Sequence, residues 1–153
     1  MSIKNRKFFI DTDTASDDAV AILMALETKD VDVLGVSIVS GNMPVNQGSV
    51  NARYTIEVCK KNIPVYIGAD SPLVKKREHA DWFHGPDGMG NMNYPMPKTE
   101  ASNENFIKVL KSHIQEFPFE ITLVTLGPLT NIANFINKEP ESFSKLKNIE
   151  IMG

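Results

Sequence analysis

Apolar and polar positions alternate along the chain in two distinct ways. Short apolar runs with β-branched and aromatic content read as buried strands: Lys7–Ile10, Val31–Val39, Pro64–Ile67, Glu120–Leu126 and the start of a fifth at Asn148–Met152. Between them the apolar spacing turns helical. One helix opens at Ser16, read as its N-cap, with Asp17 and Asp18 in the first turn, and runs to about Glu27. It is apolar nearly all round, which predicts a buried helix. Others are predicted from about Asn46 to Lys61, from about Ser102 with Phe106, Ile107, Val109, Leu110 and Ile114 on one face, and from Leu129 to about Asn137, closed by Pro140. Strands alternating with helices predict one α/β domain, with a Rossmann-like, mainly parallel sheet and helices on both faces. The stretch 68–101 breaks the pattern. It is rich in Pro and Gly, shows no period, and is too long to be an ordinary connection.

Composition narrows the class. Of 153 residues 42% are hydrophobic and 23% charged, a globular balance. The longest apolar run, Ala19–Leu26, is far short of the roughly 20 residues that span a bilayer, so no membrane partner is expected. Met1-Ser2-Ile3-Lys4 is not followed by a signal core, and Cys59 is the only cysteine. Both point to a reducing, cytoplasmic setting. A net charge of −3 without a Lys/Arg block argues against nucleic acid as a partner.

The chemistry concentrates in one place. Asp11, Asp13, Asp17 and Asp18 fall directly after the first strand, where open α/β sheets bind their ligands. Four carboxylates so close repel one another unless a cation sits among them, and oxygen ligands suit Ca²⁺ or Mg²⁺. Taken singly, each also serves as a turn former or a helix-start acid. Asn42, in Ser40-Gly41-Asn42 after the second strand, offers a donor and an acceptor, or simply a turn residue. The Leu126 carbonyl, at the end of the fourth strand, is a further oxygen for a hard cation.

These residues together resemble the nucleoside hydrolases of the inosine-uridine-preferring type. Phe9-Ile10-Asp11-Thr12-Asp13-Thr14-Ala15-Ser16-Asp17-Asp18-Ala19 is similar to the family's D-x-D-x-x-x-D-D signature. Further along, Gly41-Asn42, Ile63–Ala69 with Pro72-Leu73, His84-Gly85 with Gly88-Met89-Gly90, Leu123–Ala133 and Ile149–Gly153 resemble family segments in the same order. Family members commonly carry Pro-Gly where this chain has Thr14-Ala15. The resemblance implies that Asp13, Asp18 and the Leu126 main-chain oxygen ligate Ca²⁺. Asp13 would take a proton from the metal-bound water, Asp17 would bind a ribose hydroxyl, and Asn42 would place the water or ribose. Asp11 would support the loop from behind, and His84 would lie by the substrate. The implied reaction splits a ribonucleoside into nucleobase and ribose, and the implied assembly is a homo-oligomer, dimer or tetramer.

Such a reaction suits an acidic site, because breaking an N-glycosidic bond builds positive charge on the ribose ring. Trp82, Phe83, Met89, Met92, Tyr94 and Met96 in the long loop are candidates for a base pocket, or for a plug beneath that loop. His79 has no motif support and reads as a loop residue, and His113 reads as surface. Two rivals remain. A haloacid-dehalogenase-type phosphatase would use Asp11 as nucleophile and Mg²⁺, but it leaves Asp17-Asp18 unexplained and needs a later acidic motif that is missing after Asp87. An inactive metal-binding fragment is the other. Family members run to roughly twice this length, and their second half carries a further Asp ligand, a His by the base and Asn/Glu residues on the ribose. The chain therefore reads as the N-terminal half of a larger domain ending in a strand with an open edge, and little or no turnover is expected of it alone.

Overall fold

Successive residues of a strand face opposite sides of a sheet, and Phe9 and Ile10 organise the molecule this way. The computed structural model describes residues 5–152. Met1–Lys4 and Gly153, on which the missing signal core and the last residue of the fifth-strand motif rest, lie outside them. The elements are β1 (Arg6–Thr12), α1 (Ser16–Glu27), β2 (Val31–Ile38), α2 (Val45–Val58), β3 (Val65–Ile67), α3 (Asp81–His84), α4 (Phe106–Glu116), β4 (Ile121–Thr125), α5 (Thr130–Lys138), α6 (Pro140–Phe143) and β5 (Asn148–Ile151). The five strands are parallel and lie in the order β3-β2-β1-β4-β5.

Phe9 packs on one face with Phe106, Leu110 and Ile114 of α4 and Ile132 and Phe135 of α5. Ile10 packs on the other with Ile22 and Leu26 of α1 and Val45, Ala52 and Ile56 of α2. The expected sheet with helices on both faces is thus formed. By the same alternation Asp11 lies on the α5 side and Thr12 on the α1 side. The chain order reverses at β1, with β2 to one side and β4 to the other. Such a switch point leaves a crevice beyond the carboxyl ends of these strands.

Several local expectations are corrected. Ala15 occupies the cap position of α1 without a side-chain bond, and Ser16 is already helical. Helix α1 is not buried all round. Val20 and Met24 are 57% and 63% exposed, because the helix meets the sheet and α2 on one side only. Helix α4 starts at Phe106, where Asn105 accepts from the N–H groups of Ile107 and Lys108. That satisfies two donors which a start at Ser102 would leave open. Helix α5 ends at Lys138, before Pro140 as expected, and Pro140 then opens the short α6, since proline fits a helix's first turn. The long loop contains α3 and pairs back to the sheet through Tyr66 and Ser102. His113 is half-buried against Phe9, their ring centroids 6.3 Å apart. Burial there pushes its pKa down. No helix of the described residues is long and apolar enough to cross a membrane.

Candidate active site

Three strand ends converge on Asp13. It follows β1 and is buried, and its Oδ2 accepts the backbone N–H of Asn42 from the turn after β2. A Cβ on Gly41 would overlap the Asp13 carboxylate, and one on Gly127, after β4, would lie 2.8 Å from Asp13 Oδ1. Only glycine at both positions lets the two turns close on that side chain. Asp13, Gly41, Asn42, Glu78, Leu126, Gly127, Ile151 and Met152 line one open cavity of about 600 Å³. A cavity of about 660 Å³ beside α4, lined by Tyr66, Glu104, Lys108 and His113, includes none of the four clustered aspartates.

Asp18 lies in the first turn of α1, buried, and its Oδ2 accepts the Thr12 hydroxyl at 2.6 Å. Burial pushes its pKa up to about 8. Its hydrogen bond with the Asp13 carboxyl and the charges of Asp13 and Asp17 act in the same direction, against the Thr12 bond. Buried negative charge of this kind is relieved either by a proton or by a cation. Asp17, one residue earlier, is exposed.

Asp11 is fully buried. Its Oδ1 accepts the Ser37 hydroxyl and the Asn131 side-chain N–H, the latter at 2.7 Å, while Oδ2 has no hydrogen-bond partner among the described residues. Burial raises its pKa to about 7 against those two donors. A carboxylate so enclosed has no access for a phosphate ester, which removes the basis for Asp11 as a nucleophile. Its backbone carbonyl accepts the Leu126 N–H at 2.8 Å, which ties the β4 end to β1.

His84, buried at the end of α3, places Nδ1 3.3 Å from the Ser16 hydroxyl, so it is anchored to the start of α1. The pocket expected from the six loop side chains does not form around the Asp13 cavity. Tyr94 stacks on Tyr54 with centroids 4.8 Å apart, and with Met89 it lines a separate groove against Val20, Leu23 and Val58 of α1 and α2. Trp82, Phe83, Met92 and Met96 are largely exposed.

The residues that position the acids were given no role from sequence. Ser37, Asn131 and Thr12 hold the carboxylates, Asn51 joins the Thr14 and Asp87 carbonyls, and His79 bonds the Gly41 carbonyl. Thr12 and Asn131 do lie inside the motifs already singled out, which is the one signal that pointed to them.

Among the described residues, no group of three His, Cys, Asp or Glu side chains converges on a metal position. A cation here would therefore need oxygen beyond the carboxylates of Asp13 and Asp18. The Leu126 carbonyl region lines the same cavity, and an all-oxygen donor set fits a hard divalent ion.

Similarity to known proteins runs the length of this arrangement. The family model for inosine-uridine preferring nucleoside hydrolases matches residues 8–153. The chain is 36% identical over 152 residues to uridine nucleosidase 1 of Arabidopsis thaliana, covering 98% of this chain and 45% of that protein. Its fold superposes on a plant nucleoside hydrolase, PpNRh1, with a TM-score of 0.88 at 35% identity, over 94% of this chain and 46% of the other. A purine-preferring ribonucleoside hydrolase from Gardnerella vaginalis gives 0.88 at 26% identity, over 94% and 47%. The chain spans about half the length of the curated relatives it matches. With the aspartates of β1, the Gly-Asn turn and the Leu-Gly-Pro turn gathered at one switch point, and a family model covering all three, the chain belongs to the inosine-uridine preferring nucleoside hydrolase family.

Proposed function

We propose that this chain supplies the cation- and ribose-binding part of a Ca²⁺-dependent ribonucleoside hydrolase. The observation that carries the reading is the pair of buried carboxylates, Asp13 and Asp18, of which Asp13 lines a cavity together with Asn42 and Leu126. Asp13, Asp18 and the Leu126 carbonyl would hold Ca²⁺. When bound, the ion compensates the two carboxylates and acts as a Lewis acid toward oxygen.

The side chains then divide the work. Water oxygen bonds to the anomeric carbon, and Asp13 takes the proton it releases. The glycosidic bond breaks, and its electron pair leaves with the base nitrogen. Asp17, exposed in the first turn of α1, would accept a ribose hydroxyl. The Asn42 amide orients the sugar or the water. The acidic wall favours the positive charge that builds on the ring. His84, held beside the Ser16 hydroxyl, would contact the substrate. The assembly would be a homo-oligomer.

Calorimetric titration of the chain with Ca²⁺, beside D13N and D18N, tests the metal. Chromatographic detection of base and ribose from inosine and uridine tests the chemistry. Binding in the wild type that is lost in both variants supports the reading. Absence of Ca²⁺ binding at millimolar concentration would overturn it. Binding without ribose release is the result expected of a chain that carries only part of the site, and ribose release by the chain alone would show that the site is complete.

A further inference from the structure

The long loop reaches back to Asp13 through a single peptide group. His79 Nδ1 lies 2.8 Å from the Gly41 carbonyl oxygen. A carbonyl only accepts, so Nδ1 must carry the proton. The Gly41 C=O and the Asn42 N–H belong to the same peptide unit, and that N–H donates to Asp13 Oδ2. His79 and the Asp13 carboxylate therefore occupy opposite ends of one amide. A donor on the oxygen polarises the amide and strengthens what its N–H gives to the carboxylate.

The neighbouring geometry holds this unit in register. The Ala80 N–H donates to the Asn42 carbonyl at 2.9 Å, so consecutive loop residues grip consecutive peptide groups. The Gly41 N–H closes the turn on the Met43 carbonyl at 3.1 Å. Gly41 has no space for a side chain between Asp13 and Pro128, so the peptide cannot tilt toward β4 without meeting them. Glu78, the residue before His79, reaches the wall of the cavity that Asp13 lines.

We infer that His79 is a positioning residue for Asp13, acting through the Gly41–Asn42 peptide. Its effect on the site rests on the reading of Asp13 as proton acceptor and cation ligand, but the coupling itself can be measured without metal or substrate. The experiment uses the 153-residue chain, ¹⁵N-labelled. In the wild type, His79 should show the Nδ1–H tautomer and the Asn42 amide should be protected from exchange. In H79A, Asn42 exchange should rise at least about tenfold, and Ca²⁺ affinity should fall about tenfold, as for other residues that orient a ligand. H79N keeps a side-chain N–H near the Nδ1 position and should restore both. An Nε2–H tautomer in the wild type would overturn the proposal, and so would an Asn42 amide indifferent to H79A. The tautomer decides the matter even if H79A does not fold. An Asn42 amide coupled to His79 in a chain that binds no Ca²⁺ would sustain the positioning role and overturn the metal reading instead.

Discussion

The side-chain amide of Asn131 on α5 donates to Asp11 on β1 at 2.7 Å, across 120 residues of chain. Both side chains are wholly buried, and the Asn131 oxygen accepts the Ala69 N–H at 2.7 Å. One amide thus joins β1, the turn after β3 and the helix after β4. Alanine at this position leaves Ala69 without an acceptor and Asp11 short of a donor. N131A should lose about 2–4 kcal/mol of stability, given the cost of stranding buried polar groups. Urea unfolding with an unchanged slope is the measurement. A loss below about 0.5 kcal/mol, the level of an ordinary surface change, would show that the amide is dispensable.

The convergence of Asp13, Asn42 and Leu126 could be read from sequence because parallel strands deliver their carboxyl ends to one side. Once the strands were placed, the turns after β1, β2 and β4 had to meet. Asn131 could not be given a role in that way. A buried amide bonded across 120 residues leaves no local periodicity. The loop is a similar case. Its fold depends on backbone choices at Gly85, Gly88, Gly90, Asn91 and Asn93, all with positive φ, and on Asp87 gathering the N–H groups of Met89 and Asn91. Neither device changes the hydrophobic pattern. Residue type alone points to Ser16 as a cap, but tertiary contact with His84 takes up its hydroxyl instead.

Asn51 on α2 donates to the Thr14 carbonyl and to the Asp87 carbonyl, each at 2.9 Å. It links the acidic turn to the Gly-rich loop. N51A should cost about 1–3 kcal/mol and loosen the loop more than the sheet. Hydrogen exchange resolves the two. The Met89 and Asn91 amides should speed up while those of β1 hold. Equal acceleration in both places would make Asn51 a general stability residue.

Stability should depend on pH in an unusual sense. Asp11 and Asp18 have folded pKa values near 7 and 8, above an ordinary 3.8, so the folded state holds protons that the unfolded chain has released. Their contribution is complete below pH 4 and is lost as pH rises to about 8. His113, with its pKa pushed down, works the opposite way below its ordinary 6.5. The clean window is therefore pH 6.5–8, where the melting temperature of the chelator-treated chain should fall. D11N should weaken that fall. Added Ca²⁺ should oppose it, because it favours the deprotonated carboxylates. A melting temperature that climbs across this window would contradict the assignment.

Gly41 separates the site from the scaffold. A methyl group there would overlap Asp13 Oδ2 and lie 2.7 Å from Pro128 Cδ, and Pro128 belongs to a backbone turn that cannot easily give way. The Asp13 side chain is the softer neighbour, so G41A should displace it. Asp13 would then leave the Asn42 N–H and its place beside Asp18, while both hydrophobic clusters, which include neither Gly41 nor Asp13, stay intact. The expected result is a modest cost in folding, about 1–2 kcal/mol as for local overpacking, with a loss of Ca²⁺ binding out of proportion to it. Calorimetric titration beside urea unfolding separates these effects. Loss of the fold without a folded, metal-deficient state would mean that the turn after β2 is needed to build the sheet, and that Asp13 is held there for stability first.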